Sequence, residues 1–153
     1  MLKSNLSWVQ NMEFQCETRG LISKIDAAEE HGGNNTAPTP KELVLNAMMG
    51  CTAMDVVSIL KKMRQDISEF KMEIEAEKTT EHPIHFKTAE LIFMLKGNIE
   101  PEKAIKAVDS SLTRYCGVNY MISKTCIITF KVVLNDTVIK QGPVNFIEPK
   151  QGL

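Results

Sequence analysis

The residues of this chain best equipped for chemistry are its four thiols, Cys16, Cys51, Cys116 and Cys126. A thiol can act as a nucleophile, be oxidised, or ligate a metal, and spacing helps to choose among these. None of the four pairs at CxxC spacing. His82 and His85 flank a proline with no carboxylate or cysteine at metal-ligand spacing, so a metal site is not expected. The stretch Met1 to Leu6 holds one lysine and no apolar core of a leader follows it, so the expected location is the cytoplasm, where thiols stay reduced. The cysteines are then either inert core or catalytic. Cys16 and Cys126 fall on apolar faces of expected strands and read as core. Cys51 and Cys116 lie on helix faces that must pack against other elements. The helical neighbours of Cys51 are apolar apart from Asp55 and Ser58, and an apolar shell with a carboxylate nearby raises a thiol pKa. A thiolate at Cys51 therefore needs a cation from elsewhere, and Arg19, Arg64 and Arg114 are the arginines available.

The stretch that carries Cys51 runs from Thr39 to Arg64. Thr39 suits an N-cap, Pro40 the first helical position, and Glu42 the third place of a capping box. From Leu43 to Leu60 the apolar residues go nearly all round the helix, which predicts one wrapped on most sides by protein. Asn46, Asp55 and Ser58 argue against a membrane span. Lys61, Lys62 and Arg64 mark its exit to solvent.

The other elements follow from period. Trp8, Met12, Phe14 and Cys16 alternate with polar residues, predicting one strand through Glu17 with a buried face. Thr18-Arg19-Gly20 turns the chain into a second strand, Leu21 to Asp26, and Ala27 to Pro38 reads as a loop. Two further strands are expected at Phe70 to Glu77 and His85 to Lys96. Pro101 opens a second helix with Ile105, Val108, Leu112 and Tyr115 in one stripe, which Gly117 ends or bends. A last strand is expected from Lys124 to Leu134, followed by a tail of weak periodicity containing Gly142-Pro143 and Pro149. The architecture is α+β, with antiparallel strands around a buried helix. One subunit's strands cannot cover an all-round apolar helix, which points to a homodimer with a shared core.

With 18 basic and 19 acidic residues the net charge is −1, so neither nucleic acid nor an anionic membrane surface is an expected partner. No phosphate-binding glycine loop, nucleophile-elbow serine or dinucleotide fingerprint is present.

The run PTPKELVLNAMMGCTAMDVVSILKKMR, together with RYCGV at Arg114 to Val118, resembles the OsmC/Ohr family, most closely its YhfA-like branch. That resemblance implies an OsmC-like domain over residues 1–135 with a C-terminal extension at 136–153. It implies an intertwined dimer in which antiparallel sheets wrap the long central helices. It also implies a thiol-dependent peroxidase acting on small hydrophobic hydroperoxides, with a dithiol or lipoyl reductant and no metal, flavin or other cofactor. By the same resemblance Cys51 is the cysteine that attacks peroxide and Cys116 the one that resolves the sulfenic acid. The family's activating carboxylate falls at Lys41. Glu42 is the nearest candidate, and also has the capping role; Arg19 is the candidate for the family's arginine. Two other functions stay open at this stage. One is a non-catalytic dimer binding a hydrophobic ligand or partner, which Lys41 favours. The other is a thioesterase with Glu42 as base.

Overall fold

The computed structural model describes residues 1–148, which divide into two units, residues 1–46 and residues 47 onward. The last five residues of the expected extension, Pro149 among them, lie outside the described residues.

The first unit is an antiparallel meander of β1 (Asn5–Gln10), β2 (Glu13–Thr18) and β3 (Leu21–Ile25). The single strand expected from Trp8 to Glu17 is in fact two. The chain reverses at Asn11-Met12, with Asn11 at φ 44°, a left-handed conformation that asparagine tolerates. The two-residue turn alone swaps parity, pairing Gln10 with Glu13, but a bulge between Trp8 and Gln10 restores it, so Trp8 opposite Phe14 continued the alternation and hid the break. The face expected to be buried is partly open, with Trp8 at 68% exposure, whereas Glu13 is buried and ion-paired to Lys24 at 2.8 Å. The expected turn at Arg19-Gly20 is present, both residues having positive φ (56° and 77°).

Asp26, a residue with no forecast role, organises the loop after β3. Its carboxylate accepts hydrogen bonds from the backbone N–H groups of Ala27 (2.8 Å), Asn34 (3.1 Å) and Thr36 (3.0 Å) and from the Thr36 hydroxyl (2.9 Å). Those donors, the Thr36 N–H foremost, hold its pKa down to about 2 against the opposing cost of burial. A depressed folded-state pKa means the stabilisation is present above the ordinary value of 3.8 and is lost as pH falls through about 2. Asp26→Ala is expected to lower the thermal midpoint at pH 7 and to flatten the dependence of stability on pH across that acid window. Equal midpoints and parallel acid-unfolding curves for mutant and parent would contradict this role.

The central helix, α1 (Pro40–Lys62), starts as its sequence predicts. The Thr39 N–H donates to the Glu42 carboxylate at 2.7 Å, and the Glu42 N–H donates to the Thr39 hydroxyl at 3.4 Å. That is a capping box. Further along, Met48, Thr52, Val56 and Leu60, each four residues from the next, are fully buried. The opposite side is not: Met54 is 72% exposed in the single chain. By length and mean hydropathy, α1 is the one helix among the described residues able to cross a bilayer.

The second unit holds a four-stranded sheet in the order β4 (Asp66–Lys78), β5 (Phe86–Asn98), β6 (Ile127–Leu134), β7 (Thr137–Pro143). One face is built from register-matched apolar residues. Met72, Phe93 and Val132 align across three strands, as do Ile74, Leu91 and Phe130. The chain is α+β as expected, with one correction: β5 and β6 pair in parallel, not antiparallel. Parallel neighbours require a crossover, and the helical segment between them supplies it. The tail that showed weak periodicity contributes β7, pairing antiparallel with β6.

The crossover is also not the single helix expected. α2 (Pro101–Ser110) runs into a π-helical turn, Ser111–Tyr115, closed by the Cys116 N–H on the Ser111 carbonyl at 2.9 Å. The wider turn rotates the following residues, which is why Tyr115 leaves the apolar stripe and is 61% exposed. Cys116 is extended (φ −75°, ψ 93°), and Gly117 then begins α3 (Gly117–Ile122) instead of ending a helix.

Candidate active site

Of the four free cysteines, two meet. Cys51 projects from the middle of α1, half-buried. Cys116 sits at the break between the π-helical turn and α3, only 3% exposed. Their side chains are near enough for Cys51 to help raise the Cys116 thiol. The Asn119 N–H also donates to the Cys116 sulfur at 3.4 Å, so this cysteine is the N-cap of α3. Burial pushes the Cys116 thiol up to about 12, and the neighbouring Cys51 adds to the shift. The Asn119 and Val118 N–H groups pull the other way and lose. Cys116 is therefore a neutral thiol at physiological pH. Cys51 is the more accessible of the two.

Two buried polar residues tie the elements around this pair, and neither was singled out from sequence. Asn119 is fully buried, donates to the Met48 carbonyl of α1 at 3.5 Å, and keeps its own amide oxygen unpartnered. Ser111, also fully buried, donates its hydroxyl to Asp55 at 3.0 Å. Polar residues at the third and the minus-fifth place around a cysteine that breaks a helix were the available signal. Their burial depends on the π-helical turn, which no local pattern announces.

Glu42, Arg19 and Arg114 are the remaining candidates. Glu42 is held at the cap of α1, nine residues before Cys51, about 13 Å along the axis and half a turn round an ideal helix. Glu42→Ala is expected to cost roughly 1 kcal/mol of stability, as loss of a cap does, while the rate of Cys51 alkylation stays within about twofold. A collapse of thiol reactivity at unchanged stability would instead make Glu42 part of the chemistry. Arg19 is exposed, in the β2–β3 turn of the first unit. Arg114 is exposed too and lines a cleft of about 440 Å³ together with Cys116, Tyr115 and Tyr120. Among the described residues no cluster of His, Cys, Asp or Glu could hold a metal. Cys126 is buried at 4% exposure and Cys16 is half-buried in β2.

Comparison with known proteins bears on the family and the fold. The family described as OsmC-like protein matches residues 32–131. The protein YhfA of Escherichia coli K12 is 34% identical over 129 residues, covering 84% of this chain and 94% of YhfA. Among solved structures, a hypothetical protein from Aquifex aeolicus superposes with a TM-score of 0.75 at 23% identity, over 88% of this chain and 98% of its own. An organic hydroperoxide resistance protein OsmC from Legionella pneumophila superposes with a TM-score of 0.65 at 16% identity, over 86% of this chain and 96% of its own.

Proposed function

Because the chain belongs to the OsmC-like family, we propose that it is a thiol-dependent peroxidase reducing organic hydroperoxides through Cys51 and Cys116. The observation that carries the proposal is that two thiols 65 residues apart in sequence, on two separate elements, come near enough for Cys51 to raise the Cys116 thiol. In it, the Cys51 thiolate attacks the terminal peroxide oxygen, the O–O bond breaks, and the alcohol departs after taking up a proton. Cys51 is left as a sulfenic acid. The Cys116 sulfur then attacks the Cys51 sulfur, forming a disulfide and releasing water, with the Cys116 proton leaving in the process. Their division of labour follows from environment: the accessible sulfur meets peroxide, and the buried, protonated one waits.

The positive charge that a thiolate at Cys51 needs is proposed to come from Arg114, which lines the cleft with Cys116, with Arg19 the candidate that the family resemblance offers; Glu42 serves as a cap. Proteins of the OsmC/Ohr family are generally dimeric. The apolar outer side of α1 supports a homodimer here too, the second subunit covering Met54 and its neighbours. A dithiol, lipoyl or otherwise, is the proposed reductant. The rival function, a dimer that binds a hydrophobic ligand without turnover, draws on Lys41 at the place of the family's carboxylate.

The test is chemical. Treatment with cumene hydroperoxide is expected to link Cys51 to Cys116, seen as a single cross-linked peptide pair after digestion and mass spectrometry. Cys51 surviving as a free thiol in excess peroxide would leave the binding function standing.

A further inference from the structure

Among the described residues, Asn119 Oδ1 is the only buried side-chain nitrogen or oxygen without a hydrogen-bond partner. Asn119 is fully buried in α3, where an oxygen left without a donor is costly and a leucine would fill similar space at no such cost. Its amide nitrogen is little better served. It reaches the Met48 carbonyl at 3.5 Å, a long bond to an oxygen that already receives the Thr52 hydroxyl at 3.1 Å. That carbonyl also fixes the orientation of the amide, because it can face the NH2 end and not the oxygen. The surroundings are those of the thiol pair. The Asn119 N–H donates to the Cys116 sulfur at 3.4 Å. Met48 lies three residues before Cys51 on α1, about 4.5 Å along the axis. Cys51 in turn is near enough to Cys116 to raise its thiol. Asn119 therefore touches one cysteine with its backbone and the helix of the other with its side chain.

We infer that the Asn119 amide receives the hydroxyl of a sulfenic acid on Cys51, keeping it protonated and ready for Cys116. The inference rests on the proposed peroxidase function and adds to it a residue that holds the intermediate. Reduced Cys51 offers Oδ1 no more than a weak S–H donor. Once peroxide has placed an oxygen on the sulfur, the S–O–H group brings a stronger donor for Oδ1 and an acceptor for Nδ2. Those are the two under-served ends of this one side chain. An acceptor facing the hydroxyl favours the neutral sulfenic acid over its anion. The neutral form is the one a thiol attacks; the anion is the one that attacks a second peroxide and goes on to sulfinic acid. In resolution the Cys116 sulfur bonds to the Cys51 sulfur as the Cys51 S–O bond breaks. The departing hydroxide takes up the proton that Cys116 gives up, and water leaves. No other reactant is consumed.

The test separates the fate of the sulfenic acid from the approach of the two thiols. Each protein receives one equivalent of cumene hydroperoxide, and acid-quenched samples are read over time by intact mass for added oxygen, disulfide and sulfinic acid. Asn119→Leu is expected to take up the first oxygen within about twofold of the parent rate but to resolve it roughly tenfold more slowly, the scale of one lost hydrogen bond. In excess peroxide it should accumulate sulfinic acid at Cys51. Diamide links two thiols without passing through a sulfenic acid, and it should link Cys51 to Cys116 at rates within about twofold in both proteins. Asn119→Asp keeps an acceptor oxygen and loses the N–H toward Met48, so it should resolve within about threefold of the parent. A residue that only pins α3 to α1 would instead slow the diamide link as much as resolution, and in Asn119→Asp as much as in Asn119→Leu. Either result overturns the inference, as does resolution at the parent rate in Asn119→Leu. Asn119→Ala carries the same expectations and decides the matter if Asn119→Leu does not fold. A parent Cys51 that takes up no oxygen, while diamide still links the pair, sinks the peroxidase function and the inference together. A parent that resolves alongside variants that resolve as fast sinks the inference alone.

Discussion

Cys51→Ser is expected to reduce organic hydroperoxide consumption by on the order of 10³-fold or more, to the level of buffer with reductant alone. Serine keeps the size of the side chain but replaces a polarisable sulfur with a hydroxyl that stays protonated at neutral pH. Two of the other thiols are ill suited to take over: Cys126 is buried, and the Cys116 proton is held up to about pH 12. Cys116→Ser should behave differently. It leaves the first step intact, so Cys51 should gain one oxygen with the first equivalent of peroxide and then over-oxidise for want of a resolving partner. Intact mass spectrometry separates the two variants in one experiment. Equal peroxide consumption by parent and Cys51→Ser would remove the sulfur from the mechanism altogether.

The second large effect concerns assembly. Met54→Asp is expected to convert a two-chain species into single chains, or into aggregate, at micromolar concentration in sedimentation velocity. Met54 is 72% exposed in the isolated chain and lies on α1 away from the buried row of Met48, Thr52, Val56 and Leu60. A carboxylate in a subunit interface without a partner costs several kcal/mol, enough to dissociate a moderate dimer. Met54→Leu, which keeps the volume and the apolarity, should leave the mass unchanged. A parent protein that sediments as a folded single chain would refute the dimer before any mutant is made.

Much of the fold was legible because its signals are local. The capping box of Thr39 and Glu42, the apolar row of Ala89, Leu91, Phe93 and Leu95, and the alternation from Ile128 to Leu134 each follow from contacts within one element. What escaped depends on something non-local or on a count of one. The turn at Asn11-Met12 is offset by a bulge between Trp8 and Gln10, so Trp8 and Phe14 share a face at even spacing and the pattern shows no break. The π-helical turn adds one residue to a helix whose stripe had looked regular through Tyr115. The parallel pairing of β5 with β6 is a choice of direction that the side-chain alternation of either strand does not encode. For the candidate site, the two cysteines were visible as residue types, and their partnership came from resemblance. Asn119 and Ser111 became visible only once the crossover bent where it does.

That parallel pair has a consequence for the order in which the molecule assembles. The meander β1–β2–β3 and the β4–β5 hairpin join strands adjacent in sequence, so their loops close cheaply and early. β6 can dock on β5 only after the chain from Ile99 to Cys126 has crossed the sheet, and that crossing is what carries Cys116 to Cys51. The pairing of the two thiols is thus tied to the contact of greatest loop length in this sheet, the β5–β6 crossover, and a chain that has closed only its hairpins has not yet brought Cys51 and Cys116 together.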